Sequence, residues 1–345
     1  MFQYIVRRLF LVLPTLFGIT ILCFGVINLA PGGPVEQKLQ QIRFGGGGGA
    51  SSVGQSANGG GRQGVSEEVI AALKKQYGFD KPVHIRYLIW LKNLTTLDFG
   101  NSFTYEEPVL DVIVSKFPVS IQFGIVSFIL GYLISIPLGI GMAAKENQLF
   151  DIVSGVILAI FYSIPPFMLG VLFIVFLSGG SFLDIFPTGG LVSDRYDDLS
   201  TLGQIWDRFH HAILPLTCYV IGSFTTLSLL TRNSILNEIK KDYVRTARAK
   251  GLEERVVFMK HALRNALIPV VTGIGSFLSI FFAGSLLLET VFQLDGIGLL
   301  GYNSVLSRDY NVLMGLIFLQ SLLLLLGNII GDLIYVAVDP RIDFE

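Results

Sequence analysis

The sequence predicts an all-α integral membrane protein of six transmembrane helices, with a small, mainly helical segment outside the membrane between helices 1 and 2. Three observations lead there. Hydrophobic residues make up 52% of the 345 and charged residues only 15%, with a mean hydropathy of +0.63, a balance found in membrane chains rather than soluble domains. Six stretches reach the ~20 mostly apolar residues that a spanning helix needs. The basic residues gather in the segments that six spans would place on one side.

The apolar stretches are 9–30, 119–143, 152–177, 211–231, 268–288 and 312–338. The first follows Arg7 and Arg8. Its apolar part is too long for a signal peptide and "NLAPGGP" makes a poor cleavage site, so residues 1–30 read as a retained anchor helix. Residues 31–118 form the outer segment. Within it "FGGGGGASSVGQSANGGGRQG", residues 44–64, is Gly/Ser-rich and reads as a flexible insert. A helix is predicted from Ser66, with Glu67 and Glu68 in its first turn, Val69, Leu73 and Tyr77 on one face, and Gly78 at its end. "VHIRYLIWLKNLTTLDFGNSF" follows with a second amphipathic pattern. Residues 119–345 then form a core of five spans.

Orientation follows from the short loops. The segment 232–267 holds nine of the chain's 25 Lys and Arg residues, and Arg7, Arg8, Lys145 and Arg341 fall on the same side of a six-span chain. The opposite loops 178–210 and 289–311 carry only Arg195, Arg208 and Arg308. Both termini and the basic segment are therefore expected in the cytoplasm. A net charge of −1 gives no global field for nucleic acid.

The spans lack Asp, Glu, Lys and Arg near their centres; His211, Glu289 and Asp332 sit towards ends. Ion-coupled carriers and proton relays usually need such groups. Span three instead carries Pro165–Pro166, and span five carries Gly273, Gly275, Ser276, Ser279, Gly284 and Ser285. These residues fit close helix packing and helix bends. They also fit a pathway lined by weakly polar groups, for which Ser163, Ser276, Ser279 and Ser285 are the candidates. Cys23 and Cys218 lie in different apolar runs and read as buried thiols. No G-x-x-x-x-G-K-[ST], H-E-x-x-H or G-x-S-x-G occurs. His84, His210, His211 and His261 are scattered apart from one adjacent pair, a poor metal set. No catalytic, cofactor or metal site is expected, and energy for active transport would come from another chain.

The basic segment carries "YVRTARAKGL" and then "KHALRNALIP". This closely resembles the loop of bacterial ABC-importer permeases of the dipeptide/oligopeptide class. "RRLFLVLPTLFGIT", "YGFDKPVHIRYLIWLKNLTTLDFGNSF" and "LLLETVFQLDGIGLLGYNSVLSRDYNVLMG" resemble other parts of the same class. "APGGPVEQ" and "VDPRIDFE" look most like its YejB-type subgroup, linked to oligopeptide and microcin C uptake. The resemblance covers nearly the whole chain, the glycine-rich insert being the main departure. The wider superfamily reads Glu-Ala-Ala, three residues, then Gly; here Arg245, Thr246, Ala247 and Gly251 align, so a Glu-mediated contact does not carry over.

The resemblance implies half of a translocation pathway in the inner membrane. It implies a second homologous permease chain, two cytoplasmic ABC ATPases that bind ATP and Mg, an extracytoplasmic solute-binding protein and a peptide cargo. Nickel complexes or glutathione are alternative cargoes. A secondary carrier and a membrane scaffold are the other classes. The coupling element would be the stretch Tyr243, Arg245, Thr246, Ala247, Arg248, Ala249, Lys250, Gly251 and Leu252. Ala247 and Ala249 would permit close approach to an ATPase groove, and Gly251 would break one helix so that the next turns away. Leu252 would anchor in an apolar pocket, with Arg245, Arg248 and Lys250 at the rim.

Overall fold

The computed structural model describes residues 2–29, 80–179, 182–274 and 285–338. These residues are almost entirely helical. α1 is Phe2–Leu29, α2 Val83–Leu94, α3 Val109–Ala144, α4 Leu149–Ser163, α5 Pro166–Leu177 and α6 Thr201–Ile239. α7 is Asp242–Ala249, and α8 is composite: Glu254–Val256, a π-helical stretch Val257–Ala262, and Leu263–Ala266. α9 is Ile268–Thr272, α10 Leu286–Val291, α11 Ile297–Leu306 and α12 Tyr310–Val338. Four helices are long and apolar enough to cross a membrane by themselves: α1, α3, α6 and α12. α4 and α5 make a fifth span if they act as one.

Two sequence expectations change here, and a third is only partly described. Span three is not one helix, because α4 and α5 meet at 93°. Pro165 and Pro166 lack the N–H groups that would continue the helix, and Ile164 takes an extended backbone (φ −101°, ψ 120°). Span four is longer than its apolar run at both ends. Ser200 caps α6 at Thr201, its hydroxyl accepting from the Gly203 N–H at 3.3 Å. At the other end the helix runs on through Arg232 to Ile239, so the first eight residues of the expected basic loop are helical. Span five is described only at its ends, since 275–284 lie outside the described residues, as do the glycine-rich insert and the helix expected from Ser66.

By contacts the chain divides into two compact units, each described by itself. One comprises Leu13–Val114 and Asn303–Leu319. In it the Tyr87 hydroxyl of α2 lies 3.0 Å from the Thr20 hydroxyl of α1, and Phe24 meets the Tyr87 ring edge-on at 5.2 Å. Asp309, fully buried, caps α12 through the Val312 N–H and accepts from the Thr104 N–H at 3.0 Å.

The other unit comprises Met1–Val12, Ser115–Tyr302 and Gln320–Glu345. Its core includes Phe123 of α3, Leu169 of α5, Cys218 and Ile221 of α6, and Leu288 and Phe292 around α10. The Cys218 thiol is free and buried among these apolar groups. α3 and α6 touch backbone to backbone: a Cβ on Gly139 would stand 2.6 Å from Thr231 Cβ and 2.7 Å from the Ser228 carbonyl oxygen. Only glycine permits that approach. Buried Glu289 accepts from the Ser120 hydroxyl at 3.1 Å and from the Leu299 N–H at 2.7 Å, which caps α11. Its carboxylate is thus satisfied within the chain rather than left unpaired.

Candidate functional site, the basic elbow

The basic segment leaves α6 at Ile239, reverses through α7 and α8, and returns towards α9. α7 is amphipathic on a very short scale. Val244 and Ala247 point inward, and Asp242, Arg245, Thr246, Arg248 and Ala249 are exposed. Beneath α7 lies a small core of Val244, Ala247, Val257 and Ala262, with Ile239 packed against it. A second cluster of Ala143, Ile235, Leu263 and Ala266 joins α8 to the ends of α3 and α6. The elbow therefore has its own core and is also packed onto two long helices.

The position of Ala247 corrects the sequence expectation. At 5% exposure it is covered by the elbow's own residues. Its small side chain lets α7 sit on α8, so the close approach it permits is internal. Ala249 is exposed on the outer side.

Gly251 behaves as expected. α7 ends with the Lys250 N–H donating to the Thr246 carbonyl (3.1 Å) and the Gly251 N–H to the Arg248 carbonyl (2.9 Å). Gly251 itself is left-handed, φ +78°, with open space where a Cβ would stand. A substitution there meets only backbone strain. Gly251→Val is therefore expected to destabilise the elbow by about 1–2 kcal/mol, and Gly251→Asn by much less, since Asn tolerates this conformation. Limited proteolysis of the elbow at matched protein levels checks the order; equal effects would mean that contact, not conformation, sets the cost.

Polar contacts lock the reversal. The Tyr243 hydroxyl donates to Glu238 Oε1 at 2.6 Å and accepts from Asn265 Nδ2 at 3.0 Å, tying α7 to α6 and to the end of α8. Its oxygen also lies 3.2 Å from the His261 carbonyl oxygen of the π-helical stretch. Burial, and then the Glu238 carboxylate, push the phenol above its usual value. Arg248 forms a fork with Glu254 across the Gly251 turn (Nε–Oε2 3.0 Å, Nη2–Oε1 2.6 Å). Hydrogen bonding to Arg248 holds the Glu254 carboxyl below its usual range. Arg248 is thus engaged by its own chain, while Arg245 lies 3.5 Å from Asp242 and Lys250 is exposed.

Three apolar side chains of the elbow are exposed: Leu252 (41%) in the turn before α8, and Val256 (36%) and Met259 (54%) on α8. The sequence expectation names Leu252 and not the other two. Val256 and Met259 are hard to read locally because the neighbouring Val257 turns inward.

Two of the four candidate pathway serines, Ser163 and Ser285, lie among the described residues. Ser163 is exposed at the break between α4 and α5, its hydroxyl donating to the Ala159 carbonyl at 2.8 Å. Ser285 is half-buried and caps α10, its hydroxyl accepting from the Leu288 N–H at 3.4 Å while its own N–H donates to the Tyr219 hydroxyl. Ser276 and Ser279 lie outside the described residues.

Comparison with known proteins places these features. The family model described as "Binding-protein-dependent transport system inner membrane component" matches residues 135–344, which include α4 to α12 and the elbow. The chain is 47% identical to the peptidoglycan transport system permease protein YejB of Agrobacterium fabrum, over 99% of this chain and 98% of that one. It is 44% identical to the inner membrane ABC transporter permease protein YejB of Escherichia coli O157:H7, over 99% of each. It is 35% identical to the oligopeptide transport system permease protein AppB of Bacillus subtilis, over 100% of each.

Proposed function

Because this chain belongs to the family of binding-protein-dependent transport system inner membrane components, a multi-pass permease subunit of an ABC importer, we propose that it imports peptides and peptide-bearing cell-wall fragments. The cargo class rests on the names of relatives that match it end to end. It forms half of the pathway, with a second permease chain providing the other half. Two ATPase subunits, which bind ATP and Mg, dock on the elbow from the cytoplasm. A solute-binding protein delivers cargo from outside. Six spans place both termini in the cytoplasm, with 31–118 outside. The chain hydrolyses no ATP of its own.

The observation that carries the docking reading is the exposure of Leu252, Val256 and Met259 on an elbow with its own core. Exposed apolar groups rimmed by charge are a common form of protein interface. Tyr243, Arg245, Thr246, Arg248, Ala249, Lys250 and Gly251 of the expected coupling stretch are exposed as well. The test is co-purification of the ATPases with Leu252→Ser/Met259→Ser. We expect loss of the ATPases and of peptide uptake at unchanged abundance of this chain. Retention of both would remove the elbow from the interface, and ion-gradient-driven peptide uptake by this chain alone in liposomes would overturn the importer reading.

A further inference from the structure

We infer that the break between α4 and α5 faces a water-filled pathway and offers main-chain acceptors there to hydrogen-bond donors of the passing solute, protonated amines or peptide N–H groups. The inference rests on the transport reading above and names a contact surface within it.

Depth comes first. α4 begins beside the polar turn of Lys145, Glu146, Asn147 and Gln148, and Asp151 in its first turn is paired with Arg232. Its 15 residues span ~22 Å and the 12 residues of α5 span ~18 Å. If α4 stands upright, the break lies ~22 Å from the charged edge; if the two arms share the 93° bend equally, it lies ~16 Å deep. Either depth falls inside a hydrocarbon layer of ~30 Å.

The chemistry of the break follows. Pro165 and Pro166 bring no N–H, so the carbonyls of Phe161 and Tyr162 receive no helical donor. The Ser163 hydroxyl spends its proton on the Ala159 carbonyl, which leaves its oxygen as an acceptor. Tyr162 adds a second hydroxyl. Acceptors of this kind are not left against lipid: irregular backbone at membrane depth occurs where protein covers it or water reaches it.

The surroundings decide between those two. One side of the break is clamped to α6. A Cβ on Gly222 would stand 3.2 Å from Pro166 Cγ, and Phe161 meets Phe224 edge-on at 6.3 Å. The other side is open within this unit: Tyr162 is 72% exposed, and Ser163 and Pro165 are exposed too. Two carbonyls without a helical donor, the Ser163 hydroxyl and the exposed Tyr162 make the break more polar than the apolar helices on either side. Water serves such a spot in the resting state, and a peptide backbone can replace that water donor for donor.

The test uses the assembled importer with Cys23 and Cys218 replaced by Ser and single substitutions Tyr162→Cys, Ser163→Cys and Ile157→Cys. A charged, membrane-impermeant thiol reagent is expected to modify positions 162 and 163 at least tenfold faster than position 157, and saturating transported peptide should slow both. Equal rates at the three positions would overturn the inference, as would modification of 162 and 163 by a membrane-soluble maleimide alone. Disulfide cross-linking of position 163 to the second permease without reagent access would overturn it too. Pro165→Ala/Pro166→Ala, which restores both donors, should lower uptake about tenfold in a complex that still assembles; normal uptake would count against the acceptor role. Peptide-stimulated ATP hydrolysis by the cysteine-free complex separates the two readings. If it is present and the Ser163→Cys variant is inert to the charged reagent, this inference fails alone; if it is absent, the importer reading fails with it.

Discussion

Ala247→Glu is expected to unfold the elbow while leaving the long helices in place. Ala247 is 5% exposed and shares its core with only Val244, Val257, Ala262 and the edge of Ile239. A carboxylate there has no partner, and an unpaired buried charge costs several kcal/mol. So small a core cannot absorb that, so α7 should detach from α8. Ala249→Glu, on the exposed side of the same helix, should change elbow stability by no more than about 0.5 kcal/mol. The pair separates packing within the chain from docking onto a partner. Protease sensitivity of the elbow in membranes should rise sharply for Ala247→Glu only, whereas ATPase co-purification should fall for Ala247→Glu and, if α7 docks closely, for Ala249→Glu too. Identical protease patterns for the two variants would show that the elbow has no core of its own.

The second large effect lies at the Asp151–Arg232 pair. Arg232 of α6 grips Asp151 of α4 bidentately, Nε to Oδ1 at 2.6 Å and Nη2 to Oδ2 at 2.7 Å. The Asn147 N–H donates to the same carboxylate at 3.0 Å, from a left-handed residue at φ +61°. The Asp151 side chain is 5% exposed and that of Arg232 22%. Removing one member leaves the other poorly solvated, which costs about 3–5 kcal/mol, whereas replacing both by apolar groups of similar volume is often nearly neutral. Arg232→Ala and Asp151→Ala should each lower the melting temperature and cellular abundance of the chain strongly. Asp151→Leu/Arg232→Met should recover most of both. Single variants within about 1 kcal/mol of the parent would mean that water reaches the pair and screens it.

Some of this is legible in the sequence because it is written in averages. Long apolar runs and clustered basic residues survive any error of a few residues, so the spans and the position of the elbow can be read. Pro165–Pro166 announces a bend, but the angle depends on how α5 packs on α6 and around Phe292, which no local pattern encodes. The first turns of α6, with Trp206, Asp207, Arg208 and His210, are too mixed in polarity to read as a continuation of a span. Alanine suits either face of a helix, and only the partners Val257 and Ala262, ten and fifteen residues on, turn Ala247 inward. Val256 and Met259 escape a local reading for the same reason: neighbouring apolar residues on α8 point opposite ways, and phase is settled by the core beneath them.

α6 has a mechanical consequence. Its 39 residues make a rod of ~58 Å, nearly twice the thickness of the hydrocarbon layer. Within it Pro215 alone interrupts the ladder of backbone hydrogen bonds, near the end away from the elbow. From Pro215 to Ile239 the lever arm is ~36 Å. Tilting that arm by ~10° moves its end by ~6 Å, about the pitch of one helical turn. The contact at Gly139 would carry α3 along with it. If α6 pivots at Pro215, a push of a few ångströms on the elbow becomes a small rotation, and a small tilt far from the elbow swings it through most of a helix width.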